Sequence, residues 1–239
     1  MWPVCKKELR QYFSSLTGYI AIIFFLILTG AMLFVLPNNI LDFGYATLDK
    51  FFDTAPWILL VLIPAITMRS FSDEYRAGTF EILQTIPVTR WQLLSGKYVA
   101  ALLVVLTALV PTLIYPYSLQ QLSSTGGIDT GGTAGSYVGL LLLSACFVAI
   151  GVCSSSLTAN AVVAFIGGAF LCVIVYSAFS AISRIPALEG GPDYYLEMLG
   201  IDFHYRSLSR GVIDTRDVVY FLSVIGLFLV ITHRNLVKR

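Results

Sequence analysis

Residues 55–67 read APWILLVLIPAIT, and residues 68–84 behind them read MRSFSDEYRAGTFEILQ. The first stretch is almost unbroken hydrocarbon; the second crowds Arg69, Asp73, Glu74, Arg76 and Glu81 together. A charge-free apolar run suits the interior of a bilayer, where about 20 such residues make one helical crossing. The abrupt return of charge marks where the chain leaves it. The rest of the sequence repeats this alternation. Of 239 residues, 57% are hydrophobic and 12% charged, with a mean hydropathy of +0.81, against roughly 25% charged in soluble globular domains. The composition excludes a soluble domain and indicates an all-α integral membrane fold.

Six transmembrane helices are expected, at about 19–36, 52–68, 98–117, 137–157, 161–182 and 217–233. The second is too short between Trp57 and Met68 and must borrow from ATLDKFFDTAP, residues 46–56. Lys and Arg concentrate in short cytoplasmic loops. Lys6, Lys7 and Arg10 precede the first span, Arg69, Arg76, Arg90 and Lys97 separate the second from the third, and Arg234, Lys238 and Arg239 close the chain. Both termini are therefore expected in the cytoplasm, with Ser123 to Gly135 as an external loop. Ahead of the first span, Trp2, Cys5, Leu9, Tyr12 and Phe13 fall near helical spacing, with Lys6, Lys7 and Arg10 turned away from them. This pattern predicts an N-terminal amphipathic helix lying in the headgroup plane. Cys5, Cys146, Cys153 and Cys172 have no CxxC spacing and read as small packing residues.

Within the charged stretch, Ser72 followed by Asp73 and Glu74 suits a helix start, with anions at the positive end of the dipole. Phe71, Tyr75, Phe80, Ile82 and Leu83 then supply apolar surface, and Asp73, Glu74, Arg76 and Glu81 polar surface. Gly78 allows a bend and Pro87 ends the segment. Arg90, Trp91 and Lys97 lead into the third span as interfacial residues. An amphipathic helix presenting carboxylates to the cytosol is built to dock on a soluble partner.

At this point the sequence resembles the permease subunits of ABC-2 type exporters. Their segment after the second span runs from an acidic residue through G-T-x-E-x-L and a proline to a G-K before the third. Glu74, Gly78, Thr79, Glu81, Leu83, Pro87, Gly96 and Lys97 match it. The resemblance covers the whole chain, and its finer features, LIPAITMRSFSDEYRAGTFEIL and FHYRSLSRGVIDTRDVVYF among them, are similar to permeases of gliding-motility ABC systems. It implies that residues 72–83 form a coupling helix seated on a cytoplasmic ABC ATPase, with Ser72, Asp73, Glu74, Arg76, Gly78, Thr79, Glu81 and Leu83 as coupling residues. It further implies a second, different permease as partner, the bacterial inner membrane as location, and no nucleic acid. No GxxxxGK[ST] occurs, and Gly96-Lys97 lacks the phosphate-cradling glycines. ATP and magnesium would be bound by the partner ATPase, with no cofactor on this chain.

Catalysis is not expected here. A charge at a helix centre costs roughly 2.5–3.5 kcal/mol on insertion scales, and no Asp, Lys or Arg lies mid-span. His204 and His233 lack metal-ligand companions and read as interfacial residues. Ser154, Ser155 and Ser156 have no GxSxG context and are expected to face a neighbouring helix. Small residues such as Gly135, Gly139 and Gly168 read as intramolecular packing positions rather than dimer contacts. Between spans five and six, Tyr194, Tyr195, Leu196, Met198, Leu199, Ile201 and Phe203 are too apolar for a solvated loop. Short re-entrant external helices are expected there, starting after Gly190-Gly191-Pro192 and broken at Gly200. Two alternatives stay open: an ABC-2 exporter of drugs, lipids or glycans, and a non-transporting scaffold that passes ATPase motion to a periplasmic machine.

Overall fold

The computed structural model describes residues 1–36, 47–81, 89–123, 127–184 and 192–238, and among them every regular element is helical. Helix α1 (Trp2–Ser14) meets α2 (Leu16–Phe34) at Ser15, whose backbone is extended. The two axes bend by 68°. After residue 46 come α3 (Asp49–Thr67) and, across Met68, α4 (Arg69–Arg76). Helix α5 (Arg90–Leu109) passes through a 3₁₀ turn (Val110–Leu113) at Pro111 into α6 (Ile114–Leu122). Helix α7 (Thr130–Leu157) is followed by α8 (Ala161–Val173), a π turn (Ile174–Ala178) and α9 (Phe179–Ser183). Two short helices, α10 (Pro192–Glu197) and α11 (Ile201–Ser209), precede α12 (Thr215–Lys238).

Among the described residues, five helices are long and apolar enough to cross a membrane: Asp49–Arg76, Arg90–Leu122, Thr130–Leu157, Ala161–Ser183 and Thr215–Lys238. A sixth is reached if the bent pair Trp2–Ser14 and Gly18–Phe34 counts as one broken span. Four of these helices begin before the expected spans, because backbone hydrogen bonding continues where apolar side chains give out. Thr89 opens α5 with a capping box, its hydroxyl accepting from the Gln92 backbone while the Gln92 side chain accepts from Thr89 N–H.

Helix α7 is the core. Its apolar window is 83% buried, against 17% for α12, and it packs on α3, α4, α5, α8, α11 and α12. Its small residues make this possible: a Cβ at Gly139 would meet Leu208 Cβ at 2.6 Å, and one at Gly151 would meet Thr67 Oγ1 at 2.1 Å. The stripe expected to serve intramolecular packing does so at Gly139 and at Gly135, where a Cβ would meet Gly211 O at 2.6 Å; Gly151 is a further close approach outside that stripe. Hydroxyls in the spans satisfy nearby carbonyls, as with Ser144 to Leu140 O at 2.7 Å and Ser154 to Ala164 O at 2.8 Å. All four cysteines are buried.

Both termini lie at one end of the bundle. Arg90 Nη1 donates to Val237 O at 3.3 Å, Trp91 stacks on His233 with centroids 4.3 Å apart, and Asn235 Nδ2 donates to Ser156 O at 3.0 Å. Helices α1 and α4 join the same end through Lys97. At the opposite end, Phe52 packs on Tyr137, and Tyr205 donates to Phe52 O at 2.8 Å.

Candidate functional site

The charged stretch after α3 folds differently at its start from the sequence expectation. Ser72 is not a helix start: α4 begins at Arg69, and α3 and α4 together form a helix of 28 residues, Asp49–Arg76. At Met68 the helical ladder is broken from outside. Ser155 Oγ, from the end of α7, accepts from Phe71 N–H at 2.9 Å and Ser72 N–H at 3.2 Å and donates to Met68 O at 2.9 Å. One hydroxyl thus stands in for the missing intrahelical bonds, a recognised cause of a local break in a helix. Ser72 is fully buried, and its own hydroxyl also bonds Met68 O.

Glu74 turns inward. Its Oε1 lies 2.8 Å from Lys97 Nζ, which also reaches Glu8 Oε1 at 2.9 Å and donates to Ser70 O at 2.6 Å. Lys97 is 2% exposed and its ammonium sits 5.0 Å from the Phe71 ring centroid. The expectation that Glu74 faces the cytosol and Lys97 the interface is corrected: both are wall residues of a buried node joining α1, α4 and α5. The reason is electrostatic. A buried ammonium is tolerated only with opposite charge and hydrogen bonds around it, and here two carboxylates and a carbonyl provide them. The surplus negative charge is met by Lys7, 3.7 Å from Glu74 Oε1 and with 58% of its side chain exposed. Burial, and then the Glu8 carboxylate, push the nearby Cys5 thiol above its ordinary range.

Gly96 completes the node. A Cβ there would meet Val4 Cβ at 2.9 Å and Met1 O at 3.1 Å, so only glycine lets α1 lie against α5 with Glu8 in reach of Lys97. The G-K pair is therefore a clasp for the N-terminal helix.

The other candidate residues point outward. Asp73 is half-buried, while Arg76, Gly78, Thr79 and Glu81 are exposed. Gly78 has φ +67, the left-handed conformation that favours glycine, and it turns the chain from α4 into a helical turn at 79–81. Thr79 Oγ1 donates to Glu74 O at 3.4 Å. Phe80 is buried against Tyr75, centroids 4.9 Å apart, which anchors the exposed turn. Leu83 and Pro87 lie outside the described residues. The turn is thereby joined to α3 along the helix, to α7 through Ser155, and to α1 through Glu74 and Lys97.

At the opposite end, His204 proves to be a buried node rather than an interfacial residue. Its Nδ1 is 2.7 Å from Asp217 Oδ1, its Nε2 2.9 Å from Met198 O, and its ring stacks on Tyr220 at 3.9 Å. Tyr220 donates to Leu199 O at 2.6 Å. These bonds tie α11 and the turn after α10 to the start of α12. Gly200 ends the first short helix region and opens the second. Arg206 pairs with Asp202 and, at 3.5 Å, with Glu197. Beside them lies a cleft of about 640 Å³ whose wall includes Asp53, Trp57, Tyr176, Ser180, Arg206 and Arg210.

No curated protein matches the chain. The model of the ABC-2 family transporter proteins matches residues 2–232, nearly all of the helical architecture described above. The chain belongs to the ABC-2 family and is a multi-pass membrane permease of an ABC transporter, a component that works with an ABC ATPase.

Proposed function

We propose that a separate cytoplasmic ATPase, which binds ATP and magnesium, drives this permease through the segment from Arg69 to Glu81. The supporting observation is the union of an exposed charged turn with a helix continuous with a membrane span and braced from behind by Lys97. Asp73, Arg76, Gly78, Thr79 and Glu81 form the contact surface, with Leu83 beyond it, and Ser72 and Glu74 hold that surface in place. On this reading the end of the bundle carrying both termini is cytoplasmic and the membrane is the bacterial inner membrane. Helix α1 lies in the headgroup plane, consistent with its exposed Trp2, Lys6, Lys7 and Arg10. Helices α10 and α11 dip into the outer leaflet as a cap, consistent with the exposed Tyr194, Tyr195 and Leu199.

The similarity in FHYRSLSRGVIDTRDVVYF supports the narrower reading of a gliding-motility system, in which this permease pairs with a second, different permease. Charge reversal tests the coupling surface. Glu81→Lys should abolish or strongly weaken co-purification of the ATPase while leaving membrane insertion intact, because truncating a desolvated charged contact costs on the order of 2–5 kcal/mol. An unchanged complex with unchanged ATPase activity would sink the reading.

A further inference from the structure

The inner side of the bend between α1 and α2 encloses a slot of about 350 Å³ against α3 and α4. Its depth is apolar, formed by Ile20, Phe24, Val61, Leu62, Ala65 and Ile66. Ile20, Phe24 and Val61 are each about half exposed, at 58%, 53% and 49%, so the slot opens sideways on the apolar outer surface of the bundle. Its upper rim is polar and carries Gln11, Arg69, Ser70 and Asp73. Arg69 and Asp73 make no ion pair among the described residues, although they stand one helical turn apart on α4. Ser70 Oγ is buried without a hydrogen-bond partner, a cost that native proteins usually avoid.

We infer that this slot is a binding site for a zwitterionic glycerophospholipid of the adjoining leaflet. The apolar depth takes an acyl chain, the Arg69 guanidinium the phosphate, and the Asp73 carboxylate the ammonium of the head. Ser70 supplies a hydroxyl at the level of the phosphate and glycerol esters. A surrounding lipid is the occupant because the slot is continuous with the membrane-facing surface and a soluble molecule would have to cross the headgroup layer to enter it. The paired opposite charges select a head carrying both signs over a purely anionic one. Glu8, the remaining acid on the wall, is already neutralised by Lys97. Asp73 is shared with the coupling surface proposed above, but the rest of the lining lies behind the exposed turn at 76–81, so the lipid site stands whether or not that turn contacts an ATPase.

Native mass spectrometry of the delipidated full-length chain in detergent is the test. Phosphatidylethanolamine, phosphatidylcholine and phosphatidylglycerol are each added at equal concentration, with inorganic phosphate as a further arm. One retained phosphatidylethanolamine or phosphatidylcholine per chain is expected, in preference to phosphatidylglycerol. Arg69→Ala, at an exposed position, should lower that occupancy about tenfold or more, the range for a lost charge-assisted hydrogen bond. Ala65→Phe should block the slot. Equal retention of phosphatidylglycerol would overturn the zwitterionic selectivity. Displacement by inorganic phosphate, no retained lipid, or full retention by both variants would overturn the site itself.

Discussion

Lys97 illustrates how one residue can hold several elements in register. Its ammonium, on α5, is surrounded by Glu8 from α1 and by Glu74 and the Ser70 carbonyl from α4. Replacing it by methionine keeps the stem's volume but strands two carboxylates, and breaking a buried pair from one side costs roughly 3–5 kcal/mol. Lys97→Met should therefore lower the thermal midpoint in detergent by many degrees, and the triple variant that adds Glu8→Gln and Glu74→Gln should recover most of the loss. Recovery of none of it would show that the node is not what holds α1 in place. The matching motif places Glu74 and Lys97 among the residues of interest, yet local pattern alone puts Glu74 at the cytosolic surface and Lys97 at the membrane interface. A signal was available: Glu8 lies on the same helical face as Cys5, Leu9 and Tyr12, where an unpaired acid would be costly. What it pairs with is 89 residues away, and no local pattern reports that.

At the scale of elements, the decisive contact is between the end of α7 and the joint of α3 with α4. Ser155→Ala would remove the acceptor of Phe71 N–H and Ser72 N–H, while Met68 O keeps the Ser72 hydroxyl, and an orphaned buried polar group costs about 1–3 kcal/mol. Amide exchange at Phe71 and Ser72 should accelerate by about tenfold or more, while that at Val104 and Val148, in the cores of α5 and α7, stays slow. Exchange unchanged at the joint would refute the role given to the Ser155 hydroxyl. Helices were legible from apolar runs, and Gly78 as a bend from its conformational freedom. The start of α4 was not. A switch from apolar to charged residues marks a change of solvent, not an end of backbone hydrogen bonding, so the helix ran on past it. Ser72 carried the signature of a cap, but a cap is needed only where amide groups lack other partners, and Ser155 had already supplied one.

Over the whole molecule, the distribution of Lys and Arg and the contacts agree that residues 1–14, 69–81, 89–97 and 233–238 share one end. Which compartment that end faces is a prediction. In intact cells, a cysteine at Thr79 should be protected from a membrane-impermeant reagent, and one at Ser123 labelled. The reverse result would invert the topology. Ser72 is unsuitable as a reporter because it is fully buried. The six crossings expected from hydropathy correspond to five sufficiently long apolar helices and one bent pair, a distinction that composition cannot make because a bend depends on what packs inside it.

The continuous helix from Asp49 to Arg76 has a further geometric property. At 1.5 Å per residue its 28 residues span about 42 Å, some 12 Å more than a hydrocarbon core of about 30 Å. It is gripped by Ser155 at Met68, close to one end, which leaves arms of about 12 Å and about 28 Å on either side. About that fulcrum the helix is a lever of unequal arms. Were the joint at Met68 to hold rigid under load, a displacement of 1 Å at Arg76 would correspond to roughly 2 Å in the opposite direction at Asp49, beside the charged cleft at the opposite end of the bundle.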